Sequence, residues 1–430
     1  MILRIAACVL AAFAFGTQAA RAASSPVLTR AGSATIIAQD DEAAPLVHVT
    51  VVVRAGLDRQ TLSQNGLAAL AAQTILRTPV AGGSALSDAI AAQGGNVHFT
   101  VDPSDVRFAV EAIPAQAPAV LALFTQALTA PSFAPATVAA ARTDLQTKIA
   151  ENAQGALQVG IEMLGSAVQG PANAGMPSLG LPQIVAQTTP ADLRAFYGAY
   201  YRRGGAYVSA VGRLSALPAG TLDGLATALP DGSTSAVAAT LPKLEGQSRE
   251  LIAHRAISAP WLVAQYSAPA VDSKDFGAML VLASFMQRTL ADIAQVPDVV
   301  SPTYVSRAVG SLYRYDRTQP SLVLFVNGSV GQPDRTFATA LSIAGILAET
   351  KLRGSIDSFK AMALGDFVNG STSLEARAWL AVVFAQDGGS PDYVARVTEA
   401  IGTTNAADLQ RVARDYLNNP TIALVLPRGT

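Results

Sequence analysis

The stretch VVVRAGLDRQTLSQNGLAALAAQTIL, Val51–Leu76, changes its structural period midway. Its first residues end PLVHVTVVVR (Pro45–Arg54), a run of β-branched side chains that predicts a strand. AGLDRQTLSQNG then turns the chain, and the Ala/Leu sequence from Leu67, free of charged side chains, predicts a helix buried in a core. Downstream, SALSDAIAAQGG predicts a second helix ending in a left-handed cap at Gly94-Gly95. NVHFTVDPSDVRFAVEAI predicts two strands about a proline turn, with Val97, Phe99 and Val101 on one face. Helices over Ala119–Leu128 and Pro135–Asn152 follow.

The pattern repeats. TTPADLRAFYGAYYRRGGAYVSAVGRL (Thr188–Leu214) reads as a capped helix followed by a strand, and TTNAADLQRVARDYLNNPTIALVLP (Thr403–Pro427) reads the same way. Asp192, Leu193 and Tyr200 recur as Asp408, Leu409 and Tyr416, an offset of 216 residues. The same offset carries the first strand onto WLVAQYSAP (Trp261–Pro269), and the helix after it falls near DFGAMLVLASFMQ. Three matches in order imply a duplicated unit. The expected fold is α+β: two similar domains, each an antiparallel-rich sheet with helices packed on one face. Their expected extents are residues 27–228 and 248–430, joined by the linker LPDGSTSAVAATLPKLEGQ (229–247).

Bulk properties narrow the function. Hydrophobic residues make up 50% of the 430 and charged ones 14%, as in a well-buried globular protein. A net charge of −1 with no basic run gives nucleic acid no electrostatic footprint. Residues 1–22 read as a secretory signal, with Arg4, an apolar stretch Ile5–Phe15 too short to span a bilayer, and Ala20-Arg21-Ala22 as a cleavage site. A periplasmic location is expected, with no membrane span after cleavage. Cys8, the only cysteine, lies inside that segment, so thiolate nucleophiles and cysteine metal sites are excluded from the mature chain.

From about Pro45 to Pro427 the sequence resembles the insulinase/pitrilysin-type metallopeptidases, which include the mitochondrial processing peptidases. The resemblance lies in VVVRAG ahead of Gly66-Leu67-Ala68, in AIAAQGGNVHFTVDPSDVRFAVEAI, in PSFAPATVAAARTDL, in LGLPQIVAQTTPADLRAFYGAYYRRGGAYVSAVG and in the duplicated second half. Active members of that family carry H-x-x-E-H on the first helix, two imidazoles for zinc and a carboxylate to activate its water. A glutamate on a later helix completes the coordination. In the frame set by Gly66-Leu67-Ala68, Ala69 and Gln73 take the histidine positions and Ala72 that of the general base. In DLQTKIAEN, Lys148 takes the place of the distant glutamate; Glu151, one turn on, is the alternative. The resemblance therefore implies no catalytic residue and no metal in this chain.

Nothing else in the sequence rebuilds a site. His48, His98 and His254 are the only histidines, each in a strand-like segment and far apart, and are read as solvated or hydrogen-bonded sheet residues. There is no G-x-S-x-G elbow. In some pairs of the resembled family one chain holds zinc while its partner does not cleave but orients the peptide, at times through an arginine and a tyrosine. That spacing is missing here; Tyr304 and Arg307 are the substrate-binding candidates, and either also fits as a plain strand residue. Tyr313 and Tyr315 share one strand face in an expected hairpin over Gly310–Val330, as peptide or partner contacts or as packing. The expected role is a non-catalytic subunit of a heterodimeric zinc peptidase, with zinc only in the homologous partner. The alternatives are a stand-alone peptide-binding or scaffold protein, or an active metallopeptidase using other ligands.

Overall fold

A computed structural model describes residues 24–169, 175–234, 249–296, 308–314, 320–349 and 356–429. The segment 1–22, most of the linker and the candidates Tyr304, Arg307 and Tyr315 lie outside these residues.

Pro45–Arg54 forms the middle of the first sheet. Its strands are β1 (Val27–Ala31), β2 (Ala34–Asp40), β3 (Val47–Val53), β4 (Asn96–Val101), β5 (Val106–Ala112) and β6 (Tyr207–Gly212). They lie in the order β1-β2-β6-β3-β5-β4, with β2 and β6 parallel and every other neighbour antiparallel. The alternation of β3 sorts the two faces: Val47, Val49, Val51 and Val53 enter the first core, while Val52 joins the core of the second half.

The helices of the first half are α1 (Leu67–Leu76), α2 (Leu86–Ala92), α3 (Ala117–Thr129), α4 (Pro135–Asn152), α5 (Ala156–Gln169), α6 (Pro182–Gln187), α7 (Pro190–Tyr200) and α8 (Thr221–Thr227). Phe108 of β5 meets Phe124 of α3 with ring centroids 5.7 Å apart, deep in that core.

The second sheet repeats the first. Its strands are β7 (Arg249–Arg255), β8 (Trp261–Ser267), β9 (Val309–Arg314), β10 (Ser321–Asn327) and β11 (Thr421–Pro427), in the order β7-β11-β8-β10-β9. Only β7 and β11 are parallel, so the series β2-β6-β3-β5-β4 recurs strand for strand. The helices here are α9 (Phe276–Ala294), α10 (Pro333–Glu349), α11 (Ile356–Gly370), α12 (Leu374–Asp387), α13 (Tyr393–Thr403) and α14 (Ala406–Tyr416). The caps repeat as well. Thr189 and Asp192 form a capping box at the start of α7, and Asn405 and Asp408 form one at the start of α14, 216 residues later. The fold is α+β, two similar units from one duplication.

Each unit keeps its own helices on one face of its sheet and lends one helix to the other. Helix α5 lies on β7, β8 and β11, whereas α12 lies on β2, β3 and β6, the equivalent strands. Gly160 makes the first of these contacts possible: a Cβ there would fall 2.6 Å from Val263 Cγ2. Polar groups fix the second. Arg377 of α12 donates to Gln39 at 3.2 Å and Asp41 at 2.7 Å, His98 of β4 meets Glu375 at 3.0 Å, and the Arg107 guanidinium lies 4.0 Å from the Trp379 ring centroid.

The His98 contact has a pH signature. Its hydrogen bond holds the Glu375 carboxyl below the usual carboxylate range, against an opposing effect of burial. A depressed carboxyl pKa contributes stability above the ordinary value and loses it as pH falls through the folded one. Both side chains are about 40% exposed (41% and 40%), so the effect is small. Glu375→Gln is expected to cost about 0.5 kcal/mol at neutral pH and to make the acid limb shallower. Urea unfolding across pH 3–7 checks it; parallel curves for variant and wild type would contradict the assignment.

Candidate functional site

Helix α1 starts at Gly66, whose φ of +117° excludes a side chain, and Gly180 packs so close that its Cβ would sit 2.4 Å from the Gly66 Cα. Gln60, from the preceding turn, accepts the Gly66 and Ala68 amides at 3.0 Å each through Oε1 and so satisfies donors a helix start leaves open. All ten residues of α1 are buried, and Ala69 and Ala72 have 0% exposure. Helix α1 packs against both α4 and β4, and Ala69 and Ala72 belong to the buried core there.

Gln73 is the polar residue at the meeting of α1 and α4. Its Nε2 donates to Asp144 Oδ2 at 3.0 Å, and its Oε1 accepts from Lys148 Nζ at 2.9 Å. Arg77, one turn along α1, also donates to Asp144 through Nε and lies 3.7 Å from Asp88. Lys148 Nζ sits 5.0 Å from the centroid of the Phe99 ring on β4. Burial pushes the Lys148 ammonium below its ordinary pKa, opposed chiefly by Asp144. Glu151 is exposed, one turn beyond Lys148.

The structure thus joins Gln73 and Lys148 across the α1–α4 contact, with Ala69 and Ala72 buried on the same helix as Gln73. Sequence reading missed Asp144 and Arg77. The signal was present in the spacing, since Asp144 precedes Lys148, and Gln73 precedes Arg77, by four residues on one helix face.

These groups do not fit zinc. Two positions carry no donor atom, the Gln73 amide is committed at both ends, and Lys148 places a cation where a cationic metal would need an anion. The histidines do not converge on the contact. His48 bonds Glu111 at 3.0 Å and Thr50 at 2.8 Å, His98 bonds Glu375, and His254 bonds the Pro427 carbonyl at 3.2 Å. Among the described residues no group of three or more His, Cys, Asp or Glu is arranged to hold a metal ion. Tyr313 is buried against Phe276, centroids 5.8 Å apart, and donates to the Pro269 carbonyl, so it is packing.

Two further features bear on binding. Among the described residues β4 and β9 are outer strands, each paired on one side only. No described helix is long and apolar enough to cross a membrane.

Comparison with known proteins finds similar sequence and a similar fold. Residues 35–178, which contain α1 and α4, match the family model of insulinase (peptidase family M16). The fold is similar to the crystal structure of a peptidase M16 inactive domain from Pseudomonas fluorescens, at TM-score 0.76 and 16% identity, covering 94% of this chain and 98% of that one. It is also similar to a protease from Helicobacter pylori, at TM-score 0.76 and 14% identity, covering 94% and 99%. No curated protein matches. Residues 35–178 match the insulinase (peptidase family M16) model, and the fold of the whole chain is similar to that of these solved M16-type structures.

Proposed function

We propose that this chain is the non-catalytic subunit of a periplasmic heterodimeric zinc peptidase. It binds and orients peptide and stabilises a homologous, zinc-bearing partner. The observation that carries the reading is the α1–α4 contact: a helix of the M16 family that holds Ala69, Ala72 and Gln73, closed by an amide–ammonium pair with Lys148. The similar Pseudomonas fluorescens structure, described as an inactive domain, supports it. Zinc chemistry belongs to the partner in this reading, and this chain supplies a wall.

A wall still contributes to catalysis. An extended peptide adds to an open sheet edge through its backbone, and binding energy from a surface that does not react positions the scissile bond. The outer edge of β4 offers such backbone groups beside Phe99 and Lys148. Tyr304 and Arg307 of the second half complete the proposed contacts with peptide. Residues 1–22 direct export.

Co-expression with a homologous half-length chain that carries an intact H-x-x-E-H tests the reading. The expected outcome is peptide cleavage by the mixture, none by this chain alone, and a weaker rate for the partner alone. Equal rates for the partner with and without this chain reject the subunit role.

A further inference from the structure

Lys148 carries a charge with no ion-pair partner within 4 Å among the described residues. It is half-buried, and its Nζ contacts the neutral Gln73 amide oxygen at 2.9 Å and lies 5.0 Å from the centroid of the Phe99 ring, while Asp144 and Glu151 attract it without forming an ion pair. The carboxylate on its own helix face, Asp144, is engaged by Arg77 and by the Gln73 amide. Glu151 points from the next turn and is exposed. Lys148 forms no ion pair among the described residues. An ammonium has three donors, and the hydrogen bond to Gln73 uses one.

This arrangement differs from a solvated surface lysine. Burial has already removed part of the water that would stabilise the charge, as the lowered pKa reflects, so an incoming anion meets a partly desolvated partner. The site is also aimed. Gln73, 5% exposed, is fixed at its other end by Asp144, so its oxygen holds the ammonium in one place. Phe99 lies on β4, the strand whose outer edge is open, and Arg77 adds a second cation to the same contact.

We propose that Lys148, held by Gln73 against Phe99, is an anchor for a peptide carboxylate, receiving an acidic or C-terminal group of a chain laid along β4. This rests on the peptide-binding reading above and narrows its substrate class to peptides with a carboxylate near the first-half edge strand. Gln73 and Asp144 are positioning residues, since neither needs to touch the ligand.

The test is titration of the full chain with three fluorescent peptides of one apolar sequence. One has a free C-terminus, one an amidated C-terminus and a single internal Glu, and one an amidated C-terminus and internal Gln. The neutral peptide is expected to bind about tenfold more weakly than at least one charged peptide, in line with a charge-assisted hydrogen bond. Which charged peptide wins identifies the source of the carboxylate. Lys148→Met, which keeps the apolar stem, is expected to bring the charged peptides down to the neutral one, and Lys148→Arg to retain part of the preference. Circular dichroism melting confirms that both variants fold. Equal binding of all three peptides, unchanged in Lys148→Met, overturns the anchor but leaves peptide binding standing. No binding of any peptide at millimolar concentration overturns both.

Discussion

Ala72→Glu is expected to destabilise the protein by about 3 kcal/mol, because it buries a carboxylate and overfills a packed contact. The substitution introduces the side-chain type that active members of the resembled family use as general base, at a position with 0% exposure on a helix packed against α4 and β4. Compensation is partial: Arg77 is engaged by Asp144 and Asp88, which leaves the spare donors of Lys148 to offset some of the cost. Ala69→His is expected to act in the same direction through volume. Urea unfolding at neutral pH gives the change directly, and zinc content of the folded variant shows whether a metal site forms. A variant with an unchanged midpoint would show that this helix face is open to solvent rather than packed.

Gly160→Leu carries the second large expected effect. Helix α5 approaches β8 so closely that a Cβ at Gly160 already falls 2.6 Å from Val263 Cγ2 and 3.7 Å from Val425 Cγ2. Both valines are fully buried at strand centres, so they have nowhere to retreat. Inserting a leucine side chain is expected to cost about 3 kcal/mol, at the upper end for overpacking, and to lift α5 from the second sheet. The loss concentrates there, so amide exchange in β8 and β11 rises more than in β3 and β5. A uniform rise across both sheets would show that the contact is not the seam between the units.

Much of the fold was legible because its local signals agree. Helix α4 spans Pro135–Asn152, as its periodicity predicts, and β4 and β5 fall on either side of the proline turn. The 216-residue offset survives down to the capping boxes of α7 and α14. The helix exchange was not legible. Nothing in the composition of α5 or α12 says which sheet each will cover, since both sheets offer the same strands in the same order. That choice is made by fit at positions such as Gly160 and by pairs such as Arg377 with Asp41.

The candidate site divides the same way. The departure from the metal-binding pattern of the resembled family shows in Ala69, Ala72 and Gln73 themselves. The Asp144–Gln73–Lys148 chain that occupies these positions depends on the register between two helices, which a sequence does not print.

The reciprocal helices also set the order in which the molecule is completed. The first sheet has all its strands once residue 212 is in place, but the helix for its second face comes only with Leu374–Asp387. A fragment ending after the first unit would leave Ile37 and Val52 facing water, with Tyr207 beside them. Loop closure across so long a separation is slow, and the unfinished face is sticky while it waits. The two units therefore mature together, and neither is a module that can be lifted out of the chain.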